Sequence, residues 1–211
     1  MKAKVIMAGT ILFLASILTS TAQDHKDYIW SYNGGKKEHT LGLYAGINSS
    51  YTRMMDKDAG WLGYRAGLVL DKRWVVGVGG DALWYDYALT ELAENGTYHL
   101  QAGYQGIFVE YLQPIGSRVK IGFSILSGQG LVKYEYDKDF RKDKPWFEEI
   151  IDQSTFQVFE PGIEIQARIG GNWWLGLHGT YRNTSPVELL ETSECVFRTL
   201  NGGITLKYGI F

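Results

Sequence analysis

Apolar and polar positions in this chain alternate with a period of two, most plainly from Phe156 to Arg182. From Phe159 the odd positions are Phe159, Pro161, Ile163, Ile165, Ala167 and Ile169. After Gly170-Gly171-Asn172 they continue as Trp173, Leu175, Leu177, Gly179 and Tyr181. The even positions carry Glu160, Gly162, Glu164, Gln166 and Arg168, then Trp174, Gly176, His178 and Arg182. This alternation predicts a hairpin of two strands whose faces meet different solvents. In a soluble sheet the apolar face would turn to the core and the charges to water. In an outer-membrane barrel the apolar face meets lipid and the charges line the lumen.

The same alternation recurs along the chain. Strands are predicted at about 40–52, 61–70, 74–87, 98–112, 118–136 and 199–211, with the 156–182 hairpin before the last. The pattern slips by one residue near Gln105-Gly106 and again near Ser127–Gly130, as a β-bulge in each strand would make it do. Short connections at Asp71–Arg73, Gln113–Ser117 and Gly170–Asn172 alternate with longer polar ones, the first at Met54–Gly60. An even count of about eight strands with short and long connections in turn predicts an all-β, up-and-down antiparallel transmembrane β-barrel. Aromatic residues cluster at strand ends. Trp61, Trp84, Tyr98, Tyr134 and Tyr181, with Phe156, are predicted at one lipid interface, and Trp74, Trp173 and Tyr208 at the other.

The amino terminus adds an address. Lys2 and Lys4 precede an apolar run from Val5 to Leu18, and Ser20-Thr21-Ala22 offers small residues for cleavage. Residues 1–22 thus read as a signal peptide, 23–37 as a periplasmic lead-in and 38–211 as the barrel. The apolar run is shorter than the about 18–20 residues of a spanning helix.

Charge and chemistry narrow the function further. With 21 basic against 23 acidic residues, no basic surface suits nucleic acid. Cys195 is the single cysteine, so no internal disulfide forms. Asp56, Asp58, Asp137 and Asp139 lack the spacing of a calcium loop, and no metal or cofactor is predicted. His99 and His178 are the only histidines within the predicted strands, and neither stands beside an evident Ser–acid pair, so no catalytic residue is assigned.

The charged faces instead predict pairs across a lumen. A hairpin centred on Gly171 sets Glu164 opposite His178 and Glu160 opposite Arg182, with Arg168 on the same face. Centred on Lys72, it places Arg65 diagonal to Asp81, and centred on Ile115 it places Glu110 opposite Lys120. An eight-stranded barrel is just wide enough to be filled by such side chains. A self-plugged lumen is therefore expected, with a gated ion path or binding site as the alternative.

Gly106-Ile-Phe-Val-Glu110, Ile121-Gly-Phe-Ser-Ile125, Ser127-Gly-Gln-Gly130, Val158-Phe-Glu-Pro-Gly162, Thr180-Tyr-Arg182 and Leu206-Lys-Tyr-Gly-Ile-Phe211 carry a family resemblance. From about Gly106 onward the chain resembles the small Gram-negative outer-membrane barrels that share the OmpA, OmpX and OmpW architecture. It is most similar to a family of outer-membrane β-barrel proteins from one Gram-negative phylum. The resemblance implies the fold and an outer-membrane location, with lipid and lipopolysaccharide as surroundings, and it brings no catalytic residues. Phe211 resembles the terminal aromatic that the outer-membrane insertion machinery reads, although Gly209 stands where that signal usually has a second aromatic. The expected role is structural or interactive, through outer loops whose partner the sequence does not name. The alternatives are a narrow channel, a soluble lipocalin-like binding barrel and a lipid-modifying enzyme.

Overall fold

A computed structural model describes residues 29–33, 38–84, 97–137, 150–189 and 193–210. The expected signal peptide, Phe211 and most of two predicted outer loops lie outside them, as do the side chains of Tyr98 and His99. The described residues form β1 (Trp30–Asn33), β2 (Glu38–Met54), β3 (Lys57–Leu70), β4 (Trp74–Trp84) and β5 (Thr97–Pro114). They continue with β6 (Val119–Asp137), β7 (Ile150–Gly170), β8 (Trp173–Thr184) and β9 (Thr199–Ile210). Each strand pairs antiparallel with its chain neighbour, and β2 pairs with β9. β2 to β9 therefore close an eight-stranded ring. β1, within the expected lead-in, extends the sheet along β2 through Trp30↔Leu41.

The registers fix the geometry of the ring. From Trp74, successive partners are Tyr111, Phe123, Ile163, Gly179, Gly202, Tyr51, Gly60 and Trp84. The circuit returns to β4 ten residues further along the strand. For eight strands that stagger corresponds to a tilt of about 40°. The ten residues from Trp74 to Trp84 then rise roughly 25 Å along the axis, about the height of a lipid-facing band.

Turn chemistry places the strand ends. β2 and β3 join through Met55 and Asp56 alone, at φ 48° and 59°. Two positive φ values match the twist of a hairpin, so the expected long Met54–Gly60 connection is a two-residue turn. The β5–β6 connection is Ile115 to Arg118, closed by the Ile115 amide on the Val119 carbonyl. β5 thus runs through Pro114, which pairs with Lys120, while Glu110 pairs with Ser124. The expected Glu110–Lys120 pairing is corrected by that longer strand.

The two predicted bulges are also absent. Both β5 pairings run without a shift through Gln105-Gly106, and both β6 pairings do so through Ser127–Gly130. Register shifts occur instead at Tyr134/Glu135 and at Arg168/Gly170. What changes at the expected bulges is the chemistry of the faces. Below them Ile107, Val109, Phe123 and Ile125 point out, and Glu110 points in. Above them Gln105, Gln129 and Gln157 point out, while Leu100, Ala102, Val132 and Val158 point in.

Outside the barrel, Ile47, Val78, Ile107, Ile165, Leu177 and Ile204 are each at least half exposed, forming an apolar band around the wall. The charged faces turn inward, the reverse of a lipocalin-like soluble barrel. Trp74, Trp173 and Tyr208 mark the lower rim of the band, with Trp74 packed 4.9 Å from Tyr111 and Trp173 at 4.9 Å from Tyr208. Trp84 and Tyr181 are exposed on the outer wall. Trp61, Tyr134 and Phe156 do not, for all three are buried inside the barrel.

Candidate functional site: the barrel lumen

The interior is built in two storeys. The lower one is ionic. Lys207 on β9 donates to Glu110 at 3.1 Å and forms an ion pair with Glu164 at 2.9 Å. Tyr44 donates to the other oxygen of Glu110 at 3.0 Å. Higher in the same storey, Arg65 contacts Asp81 at 3.0 Å and Glu160 at 3.7 Å, and Asn48 donates to Asp81 at 2.5 Å. Arg182 donates to Glu160 at 2.7 Å and to the Tyr104 hydroxyl at 2.7 Å, while Tyr104 itself donates to Glu160 at 2.9 Å. Charged groups this deep are tolerable only when paired and hydrogen-bonded.

Strand alternation delivers these groups. Inward positions on neighbouring strands are small where a long side chain must cross: a Cβ at Gly63 would strike the Asp81 carboxylate, and one at Gly176 would strike that of Glu164. Glycine on one strand makes the room that a charge on the next one fills.

The predicted lumen residues are brought together in altered pairings. Glu160 with Arg182 and Arg65 with Asp81 stand as expected. Glu164 is opposite His178 in register, yet its ion partner is Lys207. His178 instead holds Thr205 at 2.9 Å through Nδ1 and Ser50 at 3.3 Å through Nε2. Lys120 lies over the Trp174 ring at 4.7 Å, near the floor. Arg168 is half-buried at the lower rim, where it donates to the Gly171 carbonyl at 2.5 Å. Tyr44, Asn48, Tyr104 and Lys207 belong to the network without having been assigned to it. Tyr44, Asn48 and Lys207 sit on polar faces in the sequence, so the direction of their side chains was readable, whereas Tyr104 shares its face with Leu100 and Ala102. Lys207 meets strands that are not its neighbours, and no hairpin register reports a contact across a lumen.

Between these groups remains a cavity of about 40 Å³, bordered by Asn48, Ser50, Glu110, Glu164, His178 and Thr205 among others. Asn48 Oδ1 and Glu164 Oε1 have no hydrogen-bond partner within the protein there. The space suits a few waters rather than a continuous aqueous path.

The upper storey is apolar. Leu100, Val132, Tyr134, Phe156 and Val158 line it, and the β8–β9 connection folds inward over them. From that connection Val187, Leu189, Val196 and Phe197 are buried, with Phe197 stacked 5.1 Å from Phe156 and edge-on to Trp61 at 5.9 Å. Ser185 and Glu188 amides tie the segment to β7 through the Gln157 carbonyl and the Ser154 hydroxyl.

No family model matches the chain, and no curated protein matches it in sequence. Solved structures match its fold. Neisserial surface protein A aligns with a TM-score of 0.50 at 11% identity, over 82% of this chain and 99% of that one. Ail, the attachment invasion locus protein of Yersinia pestis, aligns at a TM-score of 0.43 and 13% identity, over 80% and 97%. The fold is that of the small outer-membrane β-barrels.

Proposed function

We propose that this protein is an outer-membrane barrel of a Gram-negative cell whose role is structural or interactive, carried by its outward-facing segments and not by a pore or a catalytic centre. The observation behind this reading is double closure. An ionic network crosses the middle of the lumen, and an apolar layer topped by Val187 and Phe197 covers it. Either layer alone would obstruct a solute. Outer-membrane lipid and lipopolysaccharide surround the band, and the insertion machinery would read the carboxyl terminus. Segments carried on a rigid, self-filled scaffold are free to take an extracellular partner. An enzyme reading would need His178 at an accessible rim beside a carboxylate. His178 is instead held by two hydroxyls inside the wall.

Purified protein in a planar bilayer should give no stable conductance, and a steady large current would refute the proposal. Heat-modifiable gel migration with outer-membrane fractionation should accompany that result. Solubility without detergent would sink the location.

A further inference from the structure

Two buried acceptors in the lumen are left unmatched. Asn48 is 8% exposed, and its Nδ2 donates to the Asp81 carboxylate. A carboxylate only accepts, so Nδ2 must be the atom facing Asp81, and Oδ1 is the one without a partner. Glu164 gives Oε2 to Lys207 at 2.9 Å, while its Oε1 also lacks a partner. Both residues border the same cavity of about 40 Å³. The hydroxyls of Ser50, Ser124 and Thr205 border it too and carry lone pairs. The cavity is thus rich in oxygen acceptors.

Charge decides what fits. Glu110 and Glu164 both contact Lys207, so two carboxylates share one ammonium. Arg65 borders the cavity as well, but it lies against Asp81 and Glu160, and Arg182 also serves Glu160. Arg65, Arg182 and Lys207 thus face Asp81, Glu110, Glu160 and Glu164, three positive charges against four negative ones. Lys120 is turned away to the Trp174 ring at the floor. Water would satisfy the two acceptors but would leave the surplus charge buried, which is costly. A single positive charge of about the size of water answers both needs. Calcium asks for about 6–8 oxygen ligands, and magnesium for a near-ideal octahedron. Zinc and its neighbours prefer nitrogen and sulfur, and no three His, Cys, Asp or Glu side chains converge among the described residues.

We infer that the lumen binds one monovalent alkali cation at Glu164 Oε1, with Asn48 Oδ1 and cavity water completing its shell. The ion supplies the charge that Lys207 cannot give to both of its carboxylates. It is a part of the ionic storey, held between β7 and β2, and a ligand of the folded state alone. The competing source of the same charge is a proton on Glu164 or on His178, which borders the cavity between Thr205 and Ser50.

Urea unfolding in detergent tests this at fixed total chloride, with N-methylglucamine replaced stepwise by lithium, sodium, potassium or rubidium. Above the dissociation constant, tenfold more of the preferred alkali ion should raise the folded-to-unfolded ratio about tenfold. Glu164→Gln should lose that response. Tyr104→Phe should keep it, since the Tyr104 hydroxyl serves Glu160 and Arg182 outside the cavity lining. The same ratio in every alkali chloride and in N-methylglucamine chloride would overturn the inference. So would a ratio that rises as pH falls but ignores the cation, which would assign the charge to a proton. An undiminished response in Glu164→Gln would place the ion elsewhere and overturn the site. If Glu164→Gln does not fold, Asn48→Ala should weaken the response, and a response of full size there overturns the site equally. Bilayer conductance and solubility without detergent, which test the reading above, are separate measurements, so the two can fail independently.

Discussion

The guanidinium of Arg182 lies 3.9 Å from the centre of the Trp61 ring while its Nε holds Glu160 at 2.7 Å. Arg182 is therefore the hinge between the ionic storey and the apolar one. Its charge is met from one side by a carboxylate and from the other by a π face. Both residues are almost wholly buried, so neither contact can be replaced by bulk solvent.

Arg182→Leu should destabilise the barrel by about 3–5 kcal/mol, since it leaves the buried Glu160 carboxylate with only Arg65 at 3.7 Å and the Tyr104 hydroxyl. Arg182→Lys should recover only part of this, because an ammonium cannot serve Glu160 and Tyr104 in one planar fork. Joint replacement by Glu160→Leu and Arg182→Leu should cost less than Arg182→Leu alone. Urea unfolding in detergent measures all three. A double variant weaker than the single one would mean that the pair stabilises the fold beyond mutual neutralisation.

Lys207 is the sole cation within 4 Å of both Glu110 and Glu164 among the described ion pairs. Lys207→Met should leave two carboxylates in the lumen without their shared cation, with a loss of about 3–5 kcal/mol. Adding Glu164→Gln should restore much of it by removing one charge. If the second substitution makes unfolding easier still, Glu164 has a partner more important than Lys207.

The wall and turns of this barrel were largely legible in the sequence, whereas its interior was only partly so. Strand faces follow from alternation, which is local, and hairpin registers such as Glu160 against Arg182 follow from turn centres. The Glu110–Lys120 error arose because Pro114 continues β5 by two residues and moves the turn. Contacts such as Lys207 to Glu110 join β9 to β5 and depend on closure of the ring, which no local pattern records. Tyr134 and Trp61 were assigned to a lipid interface because aromatics at strand ends usually sit there. Trp61 lies on the face opposite Leu62 and Tyr64, and Tyr134 turns inward once the alternation is followed without a bulge.

The upper storey should be separable from the lower. Phe197→Ala removes the ring stacked on Phe156 and should cost about 3–5 kcal/mol if the site cannot collapse. It should also expose the β8–β9 connection to protease. Bilayer conductance should remain absent, since the ionic layer still spans the lumen. Appearance of a stable current in Phe197→Ala would show that the apolar layer alone closes the barrel.

The face reversal near Gln105 and Gln129 makes the most discriminating prediction, because one strand should respond oppositely along its length. On β6, Ile125 and Gln129 point outward two turns of the pleat apart, and the band should end between them. Ile125→Arg puts a charge in lipid and should cost about 2–4 kcal/mol, whereas Gln129→Arg, at the interface, should cost about 0–1 kcal/mol. A bulge at Ser127–Gly130 would have kept Val132 and Tyr134 outward, with charges tolerated inside. The observed inward turn makes Val132→Asp the costly change there, since it would bury an unpaired carboxylate in the apolar layer. Labelling separates the same alternatives in intact cells. With the exposed Cys195 changed to serine, a membrane-impermeant maleimide should reach Gln129→Cys and Gln157→Cys but not Ile125→Cys or Val132→Cys. Labelling of Val132→Cys at the rate of Gln129→Cys would restore the bulge and dismantle the apolar storey with it.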